Sequence, residues 1–396
     1  MRKIALLAVL VLASAFASPS TEQSSAQIDT LLDAAVEQKR VPMAVAMIAD
    51  ARDVVYEHAA GAKIDAIFAI ASMTKPITSV AVMQLVEAGQ VKLDEPAATY
   101  LPEISAVRVL DGGTLRPPKS PITVRHLLTH TAGFGYEFKN REILELVSKK
   151  ELSSVMAGGD GFLKAPLLVD PGTRWEYGIN TDWLGKLVER VSGRSLEVYF
   201  RERIFNPLGM SDSFFNVPPD KRSRLVSVFQ RTDAGTLAEL PRQPAPPADF
   251  YSGGGGLYST APDYLRFIRA LMAGGQLGQH RILSTESMAS MGKNQIGELK
   301  IPATPSLIPQ LAADGAVLPG SLDKFGLGFA LNTKPTDNGR APNTMSWGGI
   351  YNTFFWIDRE KHVGAVLMTQ MLPFLDPGPQ KLIEDFDRAV YARRAR

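Results

Sequence analysis

The sequence predicts an α+β protein: one antiparallel sheet built from both chain ends and flanked by helices, with a mainly helical region at about residues 90–250 inserted between them. Three observations predict it. Strand-like runs at Met43–Ile48 and Asp53–His58 stand near the start. Half-alternating, β-rich runs at Gly326–Asn332, Asn352–Asp358 and His362–Thr369 stand near the end. Between the two groups, helical patterns and Pro/Gly loops dominate.

Taken in order, residues 27–39 carry helical periodicity, with Ile28, Leu31, Leu32 and Ala35 on one side. The two early strands are separated by the short polar turn Ala49-Asp50-Ala51-Arg52 and read as a hairpin. Ser72–Ala88 forms the next helix, stopped by Gly89 where a C-terminal glycine belongs. His126–His130 and Asp182–Ser192 are the clearest helical pieces of the middle. A proline-rich stretch, Pro241–Pro247, leads into Gly253–Gly256, a loop whose glycines suit close backbone packing or a turn into a helix at Pro262–Ala273. A last helix is expected at about Gln380–Ala395. The span Gly292–Lys324 is long for a structureless connection and is expected to cap a site, with Leu101–Pro121 as a second shaping loop.

The first 17 residues read as a removable export signal rather than as part of the fold. Arg2 and Lys3 form a basic start, Ile4–Leu12 an apolar run too short to span a membrane, and Ala15-Phe16-Ala17 a cleavage pattern. A periplasmic or secreted protein is expected, without a transmembrane anchor. The chain has no cysteine, so neither a thiol-linked lipid nor a disulfide can form. Without Arg2 and Lys3 the 43 basic residues become 41, balancing 41 acidic ones. A neutral chain without a basic run has no footprint for nucleic acid, so small molecules are the expected partners.

Chemistry concentrates first at Ser72-Met73-Thr74-Lys75. A spacing of three puts the hydroxyl and the amine one turn apart on one helix face. A serine hydroxyl is a weak nucleophile until a base takes its proton. A helix N-terminus offers positive potential and backbone N–H groups aimed at an incoming oxyanion. Taken alone, the same spacing also fits an N-cap serine followed by a solvated lysine.

The surrounding residues change that balance. Phe68–Ser79 (FAIASMTKPITS) resembles the nucleophile motif of the serine β-lactamase and penicillin-binding-protein superfamily. Ile122–Phe134, Pro171–Tyr177 and Gly254–Thr260 resemble further stretches of its class C branch, in the family's order. The resemblance covers about residues 27–390 and implies the β-lactamase/transpeptidase-like fold. It also implies an acyl-enzyme on Ser72, with Lys75 as the neighbouring base.

Tyr177 occupies the place of the family's Y-x-N element, but the asparagine comes one position late, at Asn180. That departure resembles the family VIII carboxylesterases, as does the continuation through Asp182, Leu184 and Gly185. The resemblance implies that Tyr177, close to cations, helps to take the proton of Ser72. The K-T-G element of lactamases is replaced by Trp347-Gly348-Gly349-Ile350, again as in the esterase branch. The glycines would let substrate lie close to a strand, and the Ile350 N–H would join that of Ser72 as an oxyanion donor. Losing the lysine removes an anchor for a substrate carboxylate, while Trp347 would offer a flat apolar wall to neutral esters.

The resemblance therefore implies a carboxylesterase needing no cofactor and no metal, acting on small ester or amide substrates. Three alternatives stay open: a class C-like β-lactamase, a D,D-peptidase, and a non-catalytic penicillin-binding-like protein. His126 and His130 have the i, i+4 spacing of metal ligands, but Leu127 and Leu128 stand where H-E-x-x-H needs its glutamate. No G-x-S-x-G elbow exists, which argues against an α/β-hydrolase. Phe134, Trp175 and Tyr251 are candidate pocket residues.

Overall fold

The computed structural model describes residues 19–241, 250–303, 305–314 and 322–394. The expected export signal and residues 242–247 of the proline-rich stretch lie outside the described residues. Seven strands form the main sheet: β1 (Ala44–Asp50), β2 (Val54–Ala60), β3 (Lys324–Phe325), β4 (Ala330–Leu331), β5 (Met345–Gly349), β6 (Thr353–Asp358) and β7 (Val363–Met368). Their spatial order is β3-β4-β5-β6-β7-β1-β2, every pair antiparallel. The chain ends meet where β1 lies against β7, with Val45 opposite Met368 and Ile48 opposite Ala365. That is the sheet expected from the sequence.

Five longer helices matter for the site: α1 (Pro19–Glu37), α2 (Thr74–Glu87), α3 (Asn180–Ser192), α4 (Ala261–Met272) and α5 (Pro377–Arg394). Strands β6 and β7 are buried along their whole length, because helices cover both sheet faces. Side-chain alternation assigns the covers. Phe355 meets Tyr264 of α4 at 5.2 Å, whereas its neighbour Trp356 meets Phe386 of α5 at 5.5 Å. Trp347, paired with Phe355 across the ladder, thus points to the α4 side. Helix α1 packs against α5 and buries Ile28, Leu32 and Ala35, the stripe its periodicity marks.

The early hairpin forms as expected, and Asp50 Oδ1 closes its turn by accepting from the amides of Arg52 and Asp53. Three expectations are corrected. Gly326–Asn332 is not one strand: β3 and β4 flank a tight turn in which the Gly326 amide donates to the Phe329 carbonyl, and Gly328 sits at φ +92°. A Cβ on Gly326 would come within 2.0 Å of the Met291 carbonyl oxygen, so only glycine lets the turn pack there. The helix around His126 spans Val124–Leu128, and His130, at φ +56°, has left it. The two histidines consequently do not share a helix face. Finally, the nucleophile helix begins with a 3₁₀ turn, Ala71–Met73, before α2 proper.

Candidate active site

The start of α2 is pinned from several sides. A two-stranded ribbon pairs Phe68–Ala69 with Tyr258–Ser259, bringing the Gly253–Gly256 loop beside the nucleophile segment. Buried Gln370 bonds both backbone groups of Ala69, and the Tyr264 hydroxyl donates to the Met73 carbonyl at 2.9 Å. These contacts hold Ala71 at φ +43°, a left-handed conformation that costs a residue with a Cβ about 1 kcal/mol or more. Strain thus sits one residue before Ser72, where it turns the serine out into a half-buried position.

Ser72 Oγ receives two hydrogen bonds, one from Lys75 Nζ at 3.0 Å and one from the Tyr177 hydroxyl at 2.7 Å. The amine is 2 % exposed and makes two further bonds, to the Tyr136 hydroxyl at 3.1 Å and to the Gly254 carbonyl at 2.6 Å. A buried ammonium without partners would cost several kcal/mol. Here three acceptors match its three protons. With one proton removed, the amine can still donate to Tyr136 and Gly254 and offer its lone pair to Ser72. Its Nζ also lies 4.9 Å from the Tyr177 ring centroid and 5.3 Å from that of Tyr136.

The loop that holds the amine is held in turn by α3. Asp182 Oδ1 accepts from Ser252 Oγ at 2.6 Å and from the Gly254 amide at 3.0 Å. Thr78, one turn beyond Lys75, donates to the Gly253 carbonyl at 2.7 Å. A Cβ on Gly253 would meet the Thr181 carbonyl oxygen at 2.7 Å, so the glycines serve the close backbone packing expected of them. Burial raises the Asp182 carboxyl above the ordinary carboxylate range, opposed mainly by the charge of Lys75. Burial first, then the Asp182 charge, pushes the Tyr136 phenol well above its ordinary value. Neither Tyr136 nor Asp182 stood out in the sequence as a partner of Lys75. The only signals were Tyr136 just past the Ile122–Phe134 motif and Asp182 within the run after Tyr177.

On the other side Tyr177 is set in aromatic rings. Trp175 stacks on it (6.2 Å, 7° between planes), and His130, Trp347 and Tyr136 meet it edge-on at 5.1–5.2 Å. Phe325 touches His130, Trp175 and Trp347 from behind. Trp347 is only 1 % exposed, so it braces Tyr177 and is not the open wall expected from the sequence. The late asparagine, Asn180, does not reach Lys75. Its amide pairs with His130 Nδ1 at 2.9 Å. Burial, aided by the Lys75 charge, holds His130 well below its ordinary pKa and keeps it neutral. His126 Nδ1 instead accepts from the Thr123 amide, closing a capping box.

Strand β5 completes the arrangement by carrying Trp347, Gly348 and Gly349 and delivering the half-buried Ile350 into the turn after it. A Cβ on Gly349 would stand 2.3 Å from the Ile70 carbonyl oxygen, so glycine is what lets the strand end press against the backbone leading to Ser72. Phe134 stacks on Trp183, and Tyr251 packs against Phe215. A surface groove of about 890 Å³ between Leu101, Trp183 and Arg190 shares no residue with this site.

The family model described as Beta-lactamase matches residues 28–388. The chain belongs to the beta-lactamase family. An acyltransferase of Penicillium decumbens, calJ, is 32% identical over 83% of this chain and 81% of its own length. A lovastatin esterase of Penicillium rubens is 30% identical over 86% of this chain and 92% of its own. Among solved structures, unliganded simvastatin synthase from Aspergillus terreus superposes with a TM-score of 0.81 at 28% identity, covering 93% of this chain and 98% of that one. These likenesses set this beta-lactamase-family chain among serine hydrolases and acyltransferases of that fold. Among the described residues no helix is long and apolar enough to cross a membrane.

Proposed function

We propose that the chain is a serine carboxylesterase that cleaves small neutral esters through an acyl-enzyme on Ser72. One observation carries the reading: Ser72 Oγ is the meeting point of hydrogen bonds from Lys75 Nζ and the Tyr177 hydroxyl. Ser72 Oγ bonds to the ester carbonyl carbon, and its proton passes into the Lys75–Tyr177 pair. The amides of Ser72 and Ile350 hold the oxyanion. The pair returns the proton to the departing alkoxide as the C–O bond breaks, and water then repeats the sequence to free the acid. Trp347-Gly348-Gly349 in place of a lysine-bearing strand favours substrates without a carboxylate anchor. The basic start, the apolar run and Ala15-Phe16-Ala17 support action outside the cytoplasm.

The test compares purified protein with Ser72→Ala on p-nitrophenyl butyrate, nitrocefin and a D-Ala-D-Ala peptide. Ester turnover lost by about a thousand-fold or more in the variant is the expected result. Intact mass after fluorophosphonate treatment should place one adduct on the Ser72 peptide. Fast nitrocefin turnover with negligible ester cleavage, or labelling elsewhere, would sink the proposal. A second reading, acyl transfer to an alcohol instead of water, draws support from the relatives named as acyltransferases. It predicts that added alcohol is converted to a new ester at the expense of free acid.

A further inference from the structure

Lys75 has one carboxylate in its surroundings whose role the proposed reaction leaves unassigned. Asp182 is 1 % exposed at the start of α3, and its Oδ1 accepts both from Ser252 Oγ and from the Gly254 amide. Its Oδ2 is buried and has no hydrogen-bond partner among the described residues. Gly254 passes so close to that oxygen that a Cβ there would come within 2.3 Å of it. A carboxylate kept dry, with half its acceptors unused, costs stability unless a charge offsets it.

The groups facing Lys75 are few. Tyr136 and Tyr177 are phenols, and His130 is neutral. Glu137 accepts from Ser154, and Glu176 is engaged by Arg174 and Asn140, so both turn elsewhere. Asp182 is the carboxylate left to balance the amine, and it also grips the Gly254 residue whose carbonyl takes a proton of Lys75.

We propose that Asp182 is the positioning residue and buried counter-charge of Lys75, fixing where the amine sits and how tightly it keeps its proton. The proposal rests on the Ser72–Lys75 reading above. It treats the Lys75 charge first, and Ser252 and the Gly254 amide after it, as what keeps Asp182 ionised against its burial.

Asp182→Asn keeps the shape and removes the charge, so the amine should lose its proton more easily. Two measurements follow: the pH profile of kcat/KM on p-nitrophenyl butyrate, and the titration of Lys75 in protein made with [¹³C]lysine. The lysine signal is assigned by its absence from Lys75→Arg. Both midpoints should move to lower pH by about one unit or more. Ser252→Ala, which loosens the carboxylate without touching the helix, should move them in the same direction by less. That variant keeps the idea testable if Asp182→Asn does not fold. A fall in rate or melting temperature with both midpoints unmoved would overturn the proposal, since a merely structural residue gives that pattern. If the wild-type protein hydrolyses no ester, the esterase reading falls, while the Lys75 titration still decides the role of Asp182.

Discussion

The two sides of Ser72 are held by different physics. On the Lys75 side, a buried cation is fixed by directional bonds to Tyr136, Gly254 and Ser72, and the loop that supplies one of them is tied to Asp182 and Thr78. On the Tyr177 side the ring is bracketed by Trp175, Trp347, His130 and Tyr136, and its hydroxyl makes the bond to the serine. The polar side gains precision from hydrogen-bond geometry and pays with desolvated charge. The aromatic side gains rigidity from area and shape, and needs little charge to do so. Changes to the polar groups that meet Ser72, the Tyr177 hydroxyl included, should therefore show in rate and pH profile, and changes to the packed rings in stability.

Tyr177→Phe is the sharpest way to separate the two. The ring and its aromatic contacts stay, and one hydroxyl, 2.7 Å from Ser72 Oγ, is lost. Ester turnover should fall by about 10²–10⁴-fold, the usual worth of a positioned proton-transfer group. Urea or thermal unfolding should match wild type. A large loss of stability with modest loss of rate would mean that the hydroxyl serves the fold instead.

Trp347 probes the opposite side. Trp347→Ala empties a buried ring site and should cost about 3 kcal/mol or more in urea denaturation, with kcat falling as Tyr177 loosens. Trp347→Phe should cost only about 1 kcal/mol. The indole nitrogen has no hydrogen-bond partner among the described residues, so this swap deletes no bond. Equal costs for the two variants would contradict the view that ring packing, rather than a polar contact, is what Trp347 contributes.

The same division explains what could be read from the sequence. Ser72, Lys75 and Tyr177 sit in local motifs, and the hairpin and terminal strands follow from periodicity of two. Those were legible because both signals are short-range. Tyr136 reaches Lys75 from 61 positions away and Asp182 grips the loop that holds it from 107 positions away, through packing that no local pattern encodes. The burial of Trp347 escapes a local pattern for a related reason. A tryptophan beside two glycines on a strand looks like an open wall until His130, Phe325 and Tyr177 are seen to cover it. The left-handed backbone at Ala71 and His130 was likewise invisible, since alanine and histidine do not announce positive φ as glycine does.

The smallest expected effect concerns how the aromatic side is tethered. Asp170 opens the segment that carries Trp175 and Tyr177. Its carboxylate takes two bonds from Arg116, at 2.9 and 2.8 Å, and one from the Lys119 amide at 2.9 Å. The Arg116 guanidinium first, and that amide second, hold the carboxyl down to about 2. An unfolded aspartate titrates at about 3.9, so the native state favours the ionised form. The stabilisation is then present above about pH 4 and is lost as the pH falls through about 2. Asp170→Asn should lower the melting temperature at neutral pH, and the gap to wild type should close steadily on acidification towards about pH 2. Ester turnover should change less than for Tyr177→Phe, because the tether lies outside the ring bracket itself. A gap that stays constant across the acid range would assign the tether to packing, and the aromatic side would then owe nothing to charge.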